Sequence, residues 1–177
     1  MESNPTKILM AVLLAGMALL AGGCGNSGQQ AKTPESSIDP CGYLTSTDIE
    51  NVLGWKVATT EPKAYGPTGT CTYKSATPYS AKGMQVLTVT IAKGMSDINT
   101  SDAMVAWRKQ QYESYKEMAG QVIVESLDGL GVPAIVNGME GTLGLEMSVG
   151  DKLITASLVD SPATAKKLGE KILAHAK

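Results

Sequence analysis

The chain has 177 residues, with 15 Lys and Arg against 17 Asp and Glu for a net charge of -2; 43% of it is hydrophobic and 5% aromatic, with no Phe. A balance this close to neutral, without any basic run, excludes a nucleic-acid partner, which requires clustered Lys and Arg on one face. The length past the first forty residues suits one domain with a single core, and without Phe that core has to be built from Val, Ile, Leu and Met.

The chain opens MESNPTK, whose one basic side chain is Lys7, and runs on as ILMAVLLAGMALLAGG, sixteen uncharged residues that stop at Cys24. Sixteen helical residues rise only about 24 Å, short of a hydrocarbon core of about 30 Å. The segment therefore reads as an export signal removed after use and not as a permanent span. Its end resembles the lipobox of bacterial lipoproteins in Ala21, Gly22, Gly23 and Cys24, with Ala21 where that motif carries Leu. The resemblance implies that residues 1–23 are a lipoprotein signal peptide, that the Cys24 thiol receives a diacylglycerol, and that the new amino terminus is acylated. Each buried methylene contributes about 0.8 kcal/mol, so several acyl chains on one residue anchor the protein durably. The expected address is extracytoplasmic, on the outer membrane or the outer face of the cytoplasmic membrane.

Three cysteines are present, Cys24, Cys41 and Cys71. With Cys24 lipidated, Cys41 and Cys71 remain as a pair in an oxidising compartment, where exported chains leave few thiols unpaired. A metal site is the competing use of this pair, but two cysteines and the distant His175 do not make four ligands at a familiar spacing, so no metal or other cofactor is expected. Between Cys24 and Cys41, GNSGQQAKTPESSIDP has one large apolar side chain, Ile38. Such a segment cannot bury enough surface to order itself. Residues 24–40 are expected to be a tether that lets the domain range about 20 to 24 Å from the membrane.

Residues 41–177 are then expected to form one α+β domain, an antiparallel sheet with helices packed on it. LTSTDIENVLG opens with Thr45 as N-cap and Asp48 three residues later, puts Ile49, Val52 and Leu53 on one face, and stops at Gly54. The Pro/Gly-rich stretch from Pro62 to Gly69 reads as loop, followed by strands at TCTYKS and MQVLTVTIA; in the latter Leu87, Val89 and Ile91 alternate with Val86, Thr88 and Thr90. Residues 102–119 run at helical spacing with Met104, Trp107, Tyr112, Tyr115 and then Met118 or Ala119 on one side. QVIVES supplies a further strand. Gly150 and Asp151 form a two-residue turn that sets Met147 opposite Ile154, Leu145 opposite Ala156 and Leu143 opposite Leu158, while Glu146, Thr155, Gly144 and Ser157 face water and Leu153 breaks the pattern. A last helix starts at Ser161 and Pro162 and buries Ala165, Leu168, Ile172 and Ala176. Strand, strand, helix thus recurs at about 70–119 and 142–176, as a repeated unit would.

DPCGYLTSTDIENVLG, GTCTY, LDGLGVPA and LGLEMSVGDKLITASLV with its terminal helix together resemble a broad group of small exported bacterial proteins, many of them lipoproteins without an assigned function, including mycobacterial cell-envelope ones. The resemblance spans nearly the whole of residues 41–177; after Gly-Leu-Gly the group has Asp and Ala where this chain has Val132 and Pro133. It implies an α/β domain whose first helix is clipped to a strand by a Cys41–Cys71 bridge, and it implies no catalytic residues.

On its own residues the chain offers no catalytic constellation. His175, the one histidine, sits near the chain end where a helix frays, no GxSxG occurs, and LDGLGVP lacks the Lys and Ser/Thr of a phosphate loop. Glu113, Glu117, Glu125, Asp128, Glu140 and Glu146 cannot be paired across space from sequence. The expected role is that of a non-catalytic interaction module for an envelope protein or cell-wall partner, held at the membrane through Cys24. The alternative is a carrier or sensor for a lipid or other small apolar ligand between helix 102–119 and the sheet, contacted by Met104, Trp107, Tyr112 and Tyr115.

Overall fold

The computed structural model describes residues 38–76, 85–95, 98–113, 122–139 and 142–176. Among them are α1 (Ser46–Leu53), β1 (Val57–Tyr65), β2 (Thr68–Ser75), β3 (Val86–Lys93), α2 (Ser101–Glu113), β4 (Val122–Ser126), β5 (Ala134–Met139), β6 (Thr142–Val149), β7 (Lys152–Val159) and α3 (Pro162–His175). The strands form one antiparallel sheet in the order β1-β2-β3-β7-β6-β5-β4. The fold is α+β. Three strands precede α2 and four precede α3, and the two helices lie on opposite faces of the sheet, as the alternation of their contact residues requires.

α1 starts as its residues dictate. The Thr45 hydroxyl accepts from the Asp48 N–H (3.1 Å), the Asp48 carboxylate accepts from the Thr45 N–H (3.0 Å), and the helix ends at Gly54. α1 and α3 cover the front face, where Leu87, Val89, Ile91, Val136, Leu145, Met147, Ile154 and Ala156 pack against Ile49, Ala165, Leu168 and Ile172. Ala176 falls just past α3 and is only half-buried. Tyr73 is the one aromatic ring among the fully buried side chains of the described residues. Ile38 joins this core and Pro40 is buried, so the last residues read as tether belong to the folded body.

Two strand expectations are corrected. Of the stretch read as loop, residues 62–65 end β1 and residues 68–69 open β2, with a turn at 66–67 between them; β1 is an edge strand whose residues are nearly all exposed and which carries Pro62 opposite Cys71. Proline lacks the N–H a central strand would need, and an edge tolerates that loss. The final hairpin turns at Gly150, whose φ of 62° suits a two-residue turn, and pairs Met147 with Ile154 and Leu145 with Ala156 as expected. Leu143, however, pairs with Val159, because the register shifts next to Gly144. This extra residue turns Val159 into the front core beside Leu143 and aims the chain at the face that α3 covers.

The back face holds a second, smaller core. Met104 of α2 packs on Val124, Ile135 and Leu153, which accounts for the apolar Leu153 on a face expected to be polar. Glu146, expected to face water, is instead covered: it is 2% exposed and takes Arg108 of α2 on both carboxylate oxygens. Beyond α2 the same face is a half-buried hydroxyl surface in which Thr70, Thr90 and Thr155 form one cross-strand row and Thr72, Thr88 and Ser157 the next.

Candidate functional site

Cys41 and Cys71 form a disulfide with their Cα atoms 5.1 Å apart. The bridge joins the turn before α1 to the middle of β2, and beside it the Tyr73 hydroxyl donates to the Leu44 carbonyl at 2.8 Å. Burial, then the charges of Asp39 and Asp48, push the Tyr73 phenol up to about 12. Cys24 and Tyr115 lie outside the described residues, as do Met118 and Ala119.

Of the expected α2 contact residues, Met104 is sealed in the back core and is unavailable to a ligand. Trp107 is half-buried, with the Arg108 guanidinium 4.4 Å from its ring centre. Tyr112 does something else. Its hydroxyl donates to Asn137 Oδ1 at 3.0 Å, and its ring borders a groove of about 250 Å³ between α2 and the sheet. Met139, Gly144, Thr155 and Ser157 also line this groove.

The groove follows from one row of the sheet. Asn137 on β5, Gly144 on β6 and Ser157 on β7 are cross-strand neighbours, so the middle position of the row has no side chain. Among the described residues a Cβ there would meet the Ala156 and Asn137 carbonyl oxygens at 3.4 and 3.6 Å, ordinary contact distances, so close backbone approach does not call for the glycine, and the position leaves open space on the back face. One register position away the back face is filled by Glu146 and Arg108, which bars the groove at that end. Asn137 is 7% exposed, its carbonyl oxygen is taken by Tyr112, and its Nδ2 has no hydrogen-bond partner. A buried donor left unpaired costs about 1–3 kcal/mol, and folded proteins keep few of them.

A second hollow, about 270 Å³, lies on the other side of the molecule among Tyr43, Lys93, Lys152 and His175. His175 is not frayed: it ends α3 and bonds Asp48 through Nε2 at 3.1 Å, with Lys171 Nζ 3.5 Å from the same carboxylate. Burial opposes ionisation of Asp48 most strongly, but the Thr45 hydroxyl and N–H together with His175 outweigh it and hold the carboxyl below its usual range. Thr45 and His175 both engage Asp48 Oδ2, so the histidine is turned to the acid and not to the hydroxyl. This is a helix-to-helix clasp and not the nucleophile–base–acid relay of a hydrolase. The LDGLGVP segment joins β4 to β5 and lays Leu130 against Gly169 of α3, where a Cβ would come within 2.8 Å of Leu130 Cδ1.

Among the described residues no group of three His, Cys, Asp or Glu side chains is placed to hold a metal ion, and no helix is long and apolar enough to cross a membrane. The chain matches no family model, no curated protein and no solved structure.

Asn137, which the fold sets beside Tyr112, is not among the residues expected from sequence. The available signal was a lone polar residue inside the apolar run AIVNGM. Asn-Gly is by habit a hairpin-turn dipeptide, which hid its place in mid-strand.

Proposed function

We propose that this chain is a bacterial envelope lipoprotein, anchored through acyl groups on Cys24, whose disulfide-clipped domain acts as a non-catalytic binding module. The observation that carries the reading is the closed Cys41–Cys71 pair. A structural disulfide belongs to an oxidising compartment outside the cytoplasm. It also leaves Cys24 as the one cysteine outside the bridge, following a short apolar segment at the position a lipid handle takes. The resemblance to small exported lipoproteins agrees with it. The groove beside Tyr112 supports binding through the back of the sheet, by an envelope or cell-wall partner reaching into it or by a small ligand.

Intact mass spectrometry of the chain purified from bacterial membranes, with thiol alkylation before and after reduction, tests the reading. A mass beginning at Cys24 with added acyl groups, and two thiols alkylated only after reduction, supports it. An unacylated Cys24 overturns the membrane address, and thiols that react without reduction overturn the argument from the compartment.

A further inference from the structure

We infer that the groove between α2 and the sheet is a binding site for a single neutral sugar ring, with the buried Asn137 amide as its anchoring donor. The inference rests on the groove's being a binding surface, as the proposed function has it, and assigns the chemistry of its occupant.

The chemistry is fixed by four features of the lining. The Asn137 carbonyl oxygen is taken by Tyr112 while its Nδ2, in a residue 7% exposed that lines the groove, is unpartnered, so an occupant that reaches it meets a donor and pairs with it through an acceptor oxygen. Among the described residues no charged side chain lines the groove, and the flanking Arg108 and Glu146 neutralise each other, so none of these selects an ion. Hydroxyl groups of Thr155 and Ser157 stand on the same floor; Ser157 Oγ donates to the Thr88 carbonyl at 3.3 Å and so presents its lone pairs to a further donor. The remaining wall is apolar, the Tyr112 ring and Met139, which is 49% exposed and reaches no core.

An aliphatic chain would satisfy the wall and leave the buried amide donor without a partner. An ion would meet no counter-charge among the described lining residues. A sugar ring has what both lack: hydroxyl oxygens that accept from an amide and donate to hydroxyls, and a C–H face that lies on an aromatic ring. At about 250 Å³ the space falls just below the range of ligand sites, about 300–1,000 Å³, so it accepts one ring and not an extended chain.

The test is a ¹⁵N–¹H NMR titration of the full chain purified from membranes in detergent micelles. The side-chain amide pair of Asn137 and the backbone signals of Gly144, Thr155 and Ser157 are followed as N-acetylglucosamine or cyclohexanol is added. Cyclohexanol keeps the six-membered ring and one hydroxyl but loses the rest. The expected result is a saturable shift of those signals by the sugar at about millimolar concentration. Gly144→Ala keeps it, while Gly144→Leu, which fills the floor, abolishes it. Tyr112→Ala, its fold checked in the same spectrum, weakens it about tenfold. If cyclohexanol shifts the signals and the sugar does not, the groove binds apolar rings and the sugar assignment is overturned, with the binding-module reading intact. If neither probe shifts them, the groove takes no small ring and the sugar assignment is overturned, with the binding-module reading left to a macromolecular partner. Undiminished sugar binding by Tyr112→Ala and by folded Gly144→Leu protein places the sugar elsewhere and overturns the inference.

Discussion

Replacing Cys41 and Cys71 together by alanine opens a covalent loop whose ends are 30 residues apart. In the chain-entropy account the closed loop lowers the entropy of the unfolded chain by about 12 cal/mol/K, which is about 3.6 kcal/mol at 25 °C. Cys71 is fully buried in β2, so losing its sulfur removes packing as well and makes that figure a lower bound. For a domain of about 140 residues, with an unfolding entropy near 2.1 cal/mol/K per residue, the expected fall in Tm is about 12 °C. Circular dichroism melts of the oxidised chain and the double variant measure it. The variant is expected to stay folded at 25 °C, since Ile38, Leu44 and Ile49 remain in the front core and Tyr73 still holds the Leu44 carbonyl. A fall of less than about 3 °C, equivalent to under about 1 kcal/mol, would refute the reasoning, because it would mean that the loop is no constraint on the unfolded chain.

Three further outcomes follow from single groups. Arg108→Leu strands the Glu146 carboxylate at 2% exposure and is expected to cost about 3–5 kcal/mol in urea unfolding, while Arg108→Leu combined with Glu146→Leu recovers most of the loss; equal costs for the single and double variants would sink this. Asp48 has its folded pKa held below the ordinary carboxylate value of about 4, so its contribution is present above that value and is lost as pH falls through the lower folded pKa. Denaturation curves between about pH 5 and pH 2 should therefore slope less steeply for Asp48→Asn, which also gives up about 1 kcal/mol of capping at neutral pH. For Tyr73 the sign is reversed: a phenol raised to about 12 stabilises the fold below about pH 10 and ceases to as pH rises through about 12. Ultraviolet titration should show one tyrosine ionising last and with unfolding, and Tyr73→Phe should remove that step at a cost of about 1 kcal/mol.

How much of the fold the residues announce depends on how many neighbours each strand has. β3 and the β6–β7 hairpin have a buried front face, so period-two alternation writes itself into Leu87, Val89, Ile91 and into Leu145, Met147, Ile154, Ala156. β1 is an edge strand exposed on both sides, so nothing selects alternation in VATTEPKAY, and Pro62 makes it look like loop. The shifted register at Leu143 has no local signature, because a bulge is one added residue whose purpose, turning Val159 under α3, is visible only once α3 is placed. The same holds for His175: its partner Asp48 lies 127 residues away in sequence, and only the packing of α3 on α1 brings the two within 3.1 Å.

The site shows why binding chemistry is harder to read than a core. A core residue is selected by its own apolarity, which the sequence displays; the groove is selected by an omission, the missing side chain of Gly144 between Asn137 and Ser157. In sequence these three positions stand on three different strands, and TLGLEM looks like an ordinary half-buried strand with a glycine in it. Glycine in a strand interior gives up packing and conformational entropy, so its presence needs a reason in the fold. At Gly138 the reason is steric, since a Cβ would lie 2.1 Å from the Thr142 carbonyl oxygen. At Gly144 no backbone crowding exists, and the space is left open beside the one buried side-chain amide without a partner among the described residues. Gly144 adjoins the register shift of β6 on β7, where a strand glycine serves the fold, whereas the unsatisfied Asn137 donor in the same cross-strand row is a cost with no such reason, and a bound ring that hydrogen-bonds it accounts for that cost.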